Sequence, residues 1–141
     1  MLFTRKSRSA LIAASLVLLA GCSAHSPFIL KNTTDVAVQS GTTLQPHTSK
    51  VLFLNSTLPE TVKFEVIGQI NVGKVWYGSA DTVLAQMATK ARALGADGVI
   101  EVVTWHQPSG FSWAAPHGTG KAVKITNKEA IDVNALGGEW R

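Results

Sequence analysis

Hydrophobic and polar positions change period several times along the chain, and each change predicts an element. Val62, Phe64, Val66, Gly68 and Ile70 alternate with Lys63, Glu65, Ile67, Gln69 and Asn71, the period of two that marks a half-buried strand. Val83, Leu84, Met87, Ala88, Ala91 and Leu94 then recur at helical spacing, one face of an α-helix. Ser79 and Asp81 suit its start, and Gly95 suits the left-handed position that ends it. The β-branched and aromatic run from Val99 to His106 predicts a second strand. Residues 107–118, with Pro108, Gly110, Pro116 and Gly118, read as a loop, and Lys121 to Thr126 as a hairpin strand pairing back. Upstream, Phe28–Leu30, Val36–Val38 and Val51–Leu54 are short strand candidates, with Asn32 to Asp35 read as a turn. The tail holds Ile131, Val133, Leu136 and Trp140, an apolar set able to dock.

These elements predict a small two-layer α+β domain with a β-α-β-β core and one helix packed on a mixed sheet. A helix between two parallel strands puts Val62, Phe64, Val66, Ile100 and Val102 beneath it. The opposite face then carries Lys63, Glu65, Glu101 and Lys124 among Ile67, Val99, Val103 and Trp105, and the segment from Phe28 to Leu54 is expected to cover it.

The amino-terminal segment follows a different logic. Arg5, Lys6 and Arg8 precede an apolar stretch from Ala10 to Ala20, and Leu19-Ala20-Gly21-Cys22 ends it with the only cysteine of the chain. The stretch is 11 residues long, whereas a membrane-spanning helix needs about 20. The order of charge, apolar core, small residues and cysteine resembles a bacterial lipoprotein signal. That resemblance implies cleavage after Gly21, lipid on the Cys22 thiol and acylation of the new amino terminus. Residues 1–21 are then a signal peptide, 22–27 a lipidated tether and 28–141 a single periplasmic domain. Ser23, where an aspartate commonly retains such proteins at the inner membrane, implies the outer membrane with the domain facing the periplasm.

Removal of residues 1–21 changes the charge. The formal +4 becomes +1, ten basic residues against nine acidic. No basic stripe remains, so a nucleic-acid partner is not expected. With no second cysteine the domain has no internal disulfide, and stability must come from packing.

Leu58-Pro59, Val66-Ile67-Gly68-Gln69-Ile70, the helix, and Leu94-Gly95-Ala96-Asp97-Gly98-Val99-Ile100 together resemble the YbjQ-like family, usually labelled heavy-metal binding. They are also similar to the globular domain of the Rcs envelope-stress sensor lipoproteins. The resemblance covers residues 58 to 126 and implies a small α+β fold. The sensor lipoproteins rely on disulfides, which this chain lacks, and no ligand set of the YbjQ-like family carries over.

Candidate chemistry is sparse. His106 and His117 flank the hairpin loop as half of a metal site, and zinc requires three or four ligands. Ser109 and Ser112 share that loop without a nucleophile motif. Glu65 and Glu101 are candidates for one face, with Lys63 and Lys124 nearby as ionic partners. Gly118-Thr119-Gly120-Lys121 opens a strand rather than a helix, so it is not a phosphate loop. The aromatic trio Trp105, Phe111 and Trp113 either folds under the loop as a small satellite core or forms a partner or ligand loop, for which it is the best candidate. The expected role is non-enzymatic: binding, envelope maintenance or stress signalling, without a cofactor. The membrane is engaged through Cys22, and an envelope protein or the cell wall is the expected further partner. The competing readings are a periplasmic cell-wall or sugar hydrolase and a weak metal-binding protein.

Overall fold

The computed structural model describes residues 32–39, 41 and 44–141. The predicted signal peptide, the tether with Cys22, and the Phe28–Leu30 strand candidate lie outside them.

Among the described residues six strands and one helix follow one another as β1 (Thr33–Val38), β2 (Leu52–Phe53), β3 (Phe64–Gly73), α1 (Ala80–Ala93), β4 (Gly98–Gln107), β5 (Ala115–Ile125) and β6 (Glu139–Trp140). A single 3-10 turn, Lys128–Ala130, interrupts the tail. One mixed sheet contains all six strands in the order β1-β3-β5-β4-β2-β6. Only β2 and β4 pair in parallel; every other neighbour is antiparallel.

Helix α1 forms where the 3.6-residue pattern predicted it. Ser79 is its N-cap residue and Asp81 lies in its first turn, with Lys90 and Arg92 in the last, each sign matched to the helix dipole. Val83, Met87, Ala88 and Ala91 are its buried face. Gly95 follows with φ +75°, and a Cβ there would stand 2.7 Å from the Gln45 carbonyl oxygen and 2.6 Å from Leu44 Cβ. Both the left-handed backbone and the close approach demand glycine. Gly95→Val is therefore expected to lose about 2 kcal/mol or more of stability. An unchanged thermal melt would show that the cap does not hold the helix end.

The core differs from the sequence expectation in one connection and in the assignment of faces. β3 and β4 run in the same direction but do not touch, because β5 lies between them and pairs with both. The hairpin strand is thus inserted inside the pair rather than added outside it. Small residues explain why the position suits β5. Gly118, Gly120 and Ala122 face α1, and the helix settles on them through Val83 and Met87.

Two bulges reverse the faces. The β3–β5 register shifts between Val66 and Gly68, and the β4–β5 register between Ile100 and Val103, where Glu101 has φ +52°. An extra residue in a strand of period two sends every later side chain to the other side. Val51, Phe53, Ile67, Ile70, Val72, Val99, Val102 and Ala122 therefore pack with the helix. Val62, Phe64, Val66 and Ile100, expected under the helix, join Leu52, Leu54, Leu58, Val123 and Ile125 on the opposite side. Of the five residues expected beneath α1, only Val102 is there.

The cover of that opposite face is also corrected. Among the described residues upstream of Leu54, β1 extends the sheet beside β3 and β2 enters it beside β4. Ile131, Val133 and Leu136 of the tail provide the cover instead. Thr33 to Asp35, expected as a turn, belong to β1. β5 begins at Ala115, so the loop expected over 107–118 shrinks to residues 108–114.

Candidate functional site

Because β3 and β4 run the same way, the loops that leave them lie at one pole of the sheet. Residues 74–79 join β3 to α1, and residues 108–114 join β4 to β5. The sequence Lys-Val-Trp-Tyr-Gly-Ser meets Pro-Ser-Gly-Phe-Ser-Trp-Ala there. Pro108 and Gly110 interrupt the hairpin connection where it leaves β4.

Hydrogen bonds hold the two loops together. Ser109 Oγ donates to the Val75 carbonyl at 2.6 Å, and Lys74 N donates to the Pro116 carbonyl at 3.1 Å. Within the second loop, Ser109 N donates to the Ser112 carbonyl at 2.6 Å and Ala114 N to Ser112 Oγ at 3.1 Å. The two serine hydroxyls are thus engaged in shaping the loop, and Ser112 is buried. This division of labour puts polar groups inside and aromatic rings outside.

Four aromatic rings project from the pole. Trp113 is 83% exposed, Trp76 61%, Tyr77 56% and Phe111 51%. Trp76 meets Tyr77 edge-on at 6.2 Å between centroids and Phe111 at 6.3 Å with a tilt of 40°, within the range of favourable ring pairs. Tyr77, Phe111 and Trp113 line an open hollow of about 390 Å³. Lys74 is the only charged residue in the two loops.

Trp105 takes a different place from Phe111 and Trp113. It belongs to β4, half-buried, and stacks on His117 of β5 at 5.6 Å and 20°. Its Nε1 donates to Gln107 Oε1 at 2.9 Å. A smaller hollow of about 230 Å³ lies beside this stack, lined by Thr33, Asn71, Gln107 and His117 among others. The aromatic trio of the sequence is therefore split, and its two loop members gain Trp76 and Tyr77 from the other loop. The sequence signal for those two was present as adjacent aromatics between Gly73 and Gly78, but their place beside the other loop depends on the sheet.

The two loop histidines do not converge. The register sets Trp105 opposite His117 and His106 opposite Pro116, so alternation turns the histidines to opposite faces. His106 is exposed with Nε2 3.3 Å from the Gly78 carbonyl, while His117 is buried. Among the described residues no three His, Cys, Asp or Glu side chains gather to hold a metal ion. The carboxylates considered for hydrolysis are also separate. Glu101 pairs with Lys121 at 2.7 Å, and Glu65 lies in register with Lys124.

Burial lowers the pKa of His117, and the neighbouring charge of His106 lowers it further. Protonation therefore opposes the native state. The stability gained from a neutral His117 is complete above the unfolded value of about 6.5 and is lost as pH falls from there toward the lowered folded value. The melting temperature should fall between pH 6.5 and 5, and His117→Phe should flatten that slope. An identical slope in the variant would assign the titration elsewhere.

Among the described residues no helix is long and apolar enough to cross a membrane. Comparison with family models, with curated proteins and with solved structures found no match to this chain.

Proposed function

We propose that this chain is a lipid-anchored outer-membrane protein whose periplasmic α+β domain has a non-enzymatic role, binding or maintaining a component of the envelope through its aromatic pole. The observation that carries the reading is the set of four exposed rings, Trp76, Tyr77, Phe111 and Trp113, on two loops held together by the Ser109–Val75 hydrogen bond. A rigid sheet that presents loops is the usual platform for recognition. The pole has aromatic anchors without the paired acids or nucleophile that hydrolysis requires. The lipid anchor rests on Leu19-Ala20-Gly21-Cys22 and on Ser23, and the α+β core with the Gly95 cap is in keeping with the YbjQ-like resemblance.

Two results test the reading. Mass spectrometry of the mature protein should find an acylated amino-terminal cysteine, and Cys22→Ser should leave the signal unprocessed; an unmodified thiol in the mature protein refutes the anchor. Phe111→Ala with Trp113→Ala should change the melting temperature by no more than about 4 °C, because each exposed substitution falls within about 0.5 kcal/mol. The same variant should lose its crosslinks to neighbouring envelope components in intact cells. Full retention of those crosslinks refutes the pole as the contact surface.

A further inference from the structure

The aromatic pole is also the pole at which β1 begins. Thr33, the first residue of β1, pairs with Gly73, the last residue of β3. Asn32 Oδ1 accepts from Val75 N at 3.0 Å, one residue before Trp76. Asn32 stands ten residues after Cys22, and a chain of that length spans at most about 35 Å. A lipid on Cys22 therefore holds this pole within about 35 Å of the bilayer surface. The opposite pole, where Trp140 pairs with Leu52 beside Gly98, is a further strand length away.

The chemistry of the pole fits a lipid surface. Trp and Tyr rings concentrate at the boundary between headgroups and acyl chains, because they combine an apolar body with a polar edge. The two loops contain no Asp or Glu, and Lys74 is their one charged residue, so nothing in them opposes anionic headgroups. The loops also satisfy backbone groups internally, through Ser109, Ser112 and the Lys74–Pro116 bond, which lowers the cost of leaving water. A tether raises the effective concentration of the pole at the surface, so a weak interfacial affinity is enough to populate the docked state.

We infer that the aromatic pole seats in the interfacial layer of the bilayer that holds the Cys22 lipid, with Trp113, Trp76, Tyr77 and Phe111 at the headgroup boundary. The inference rests on the lipid-anchor reading and names the counterpart of the contact surface. It gives the domain a fixed orientation: the sheet stands on its loops, and the Trp140 pole faces away from the membrane.

The mature lipidated protein, reconstituted in vesicles of phosphatidylethanolamine and phosphatidylglycerol with brominated acyl chains, provides the test through tryptophan quenching. Trp113→Phe and Trp140→Phe both alter exposed residues and should leave the melt unchanged. Trp113→Phe should reduce the quenched fraction of emission by about a third, from two of four tryptophans to one of three, whereas Trp140→Phe should not reduce it. Equal effects of the two substitutions, or no quenching in the native protein, overturn the docking. Acylation of Cys22 is measured on the same sample: an acylated protein without quenching leaves the anchor reading intact and removes the docking alone. Shielding of Trp113 in cells without quenching in vesicles would assign the pole to a protein or cell-wall partner and likewise overturn it.

Discussion

Gly118→Val is expected to cost about 2–3 kcal/mol, the upper range for overpacking a core, by lifting α1 off the sheet. A Cβ at 118 would stand 2.6 Å from Val83 Cγ1 and 3.2 Å from Met87 Sδ. Val83 and Met87 have no solvent exposure, and the β-branched Val83 has little rotamer freedom with which to yield. Gly120→Val meets Val99 Cγ1 at 2.6 Å and Met87 Cε at 3.1 Å. Its cost should be similar, since the buried, β-branched Val99 can yield as little as Val83. Urea denaturation measures both. Val83→Ala should partly rescue Gly118→Val, because it opens the space that the new side chain needs. Two stable single variants would mean that the helix does not rest on these glycines.

Asp97→Ala is expected to cost about 2–3 kcal/mol, mostly by leaving a buried amide without its acceptor. Asp97 Oδ2 accepts from Ile125 N at 3.0 Å, and Oδ1 accepts from Lys128 Nζ at 2.6 Å. Lys124 Nζ stands 3.1 Å from Oδ2. One nearly buried carboxylate thus joins the start of β4, the end of β5 and the turn that begins the tail. The lysines are about half exposed and regain water when the aspartate is removed, so they contribute less than a buried pair would. Burial acts to raise the Asp97 pKa, and the bonds from Lys128, Ile125 and Lys124 outweigh it and hold the carboxyl below its ordinary range. A lowered folded pKa gives stability that is complete above the unfolded value of about 3.9 and is lost as pH falls below it. Asp97→Asn, which keeps an acceptor for Ile125, should lose less stability than Asp97→Ala and should be less sensitive to acid below pH 4. A variant as stable as the native protein would contradict this role.

Much of the secondary structure was legible because it follows local rules. The α1 face, its Gly95 stop and the strands β3 and β4 were readable from period and capping. What was not legible depended on distant pairing. No local feature shows that β5 inserts between β3 and β4; of the glycines that let it do so, Gly118 read as a loop signal and Gly120 as the opening of a strand. The bulges at Val66/Gly68 and Ile100/Val103 reversed the face assignments, because a period of two has no memory of an inserted residue. Thr33 to Asp35 read as a turn and became a strand once the edge of β3 was available to pair. For the site, Phe111 and Trp113 were visible as aromatics in a Pro/Gly-rich loop. Trp76 and Tyr77 were not, since their place beside that loop depends on the parallel direction of β3 and β4.

In the envelope the aromatic pole should be covered. Oxidative labelling of tryptophan in intact cells, compared with the purified protein, tests it most directly. Trp113 and Trp76 should be labelled several-fold more slowly in cells, while Trp140 at the other pole should be labelled at the same rate in both. Trp113 labelled as fast in cells as in the purified protein would contradict the claim.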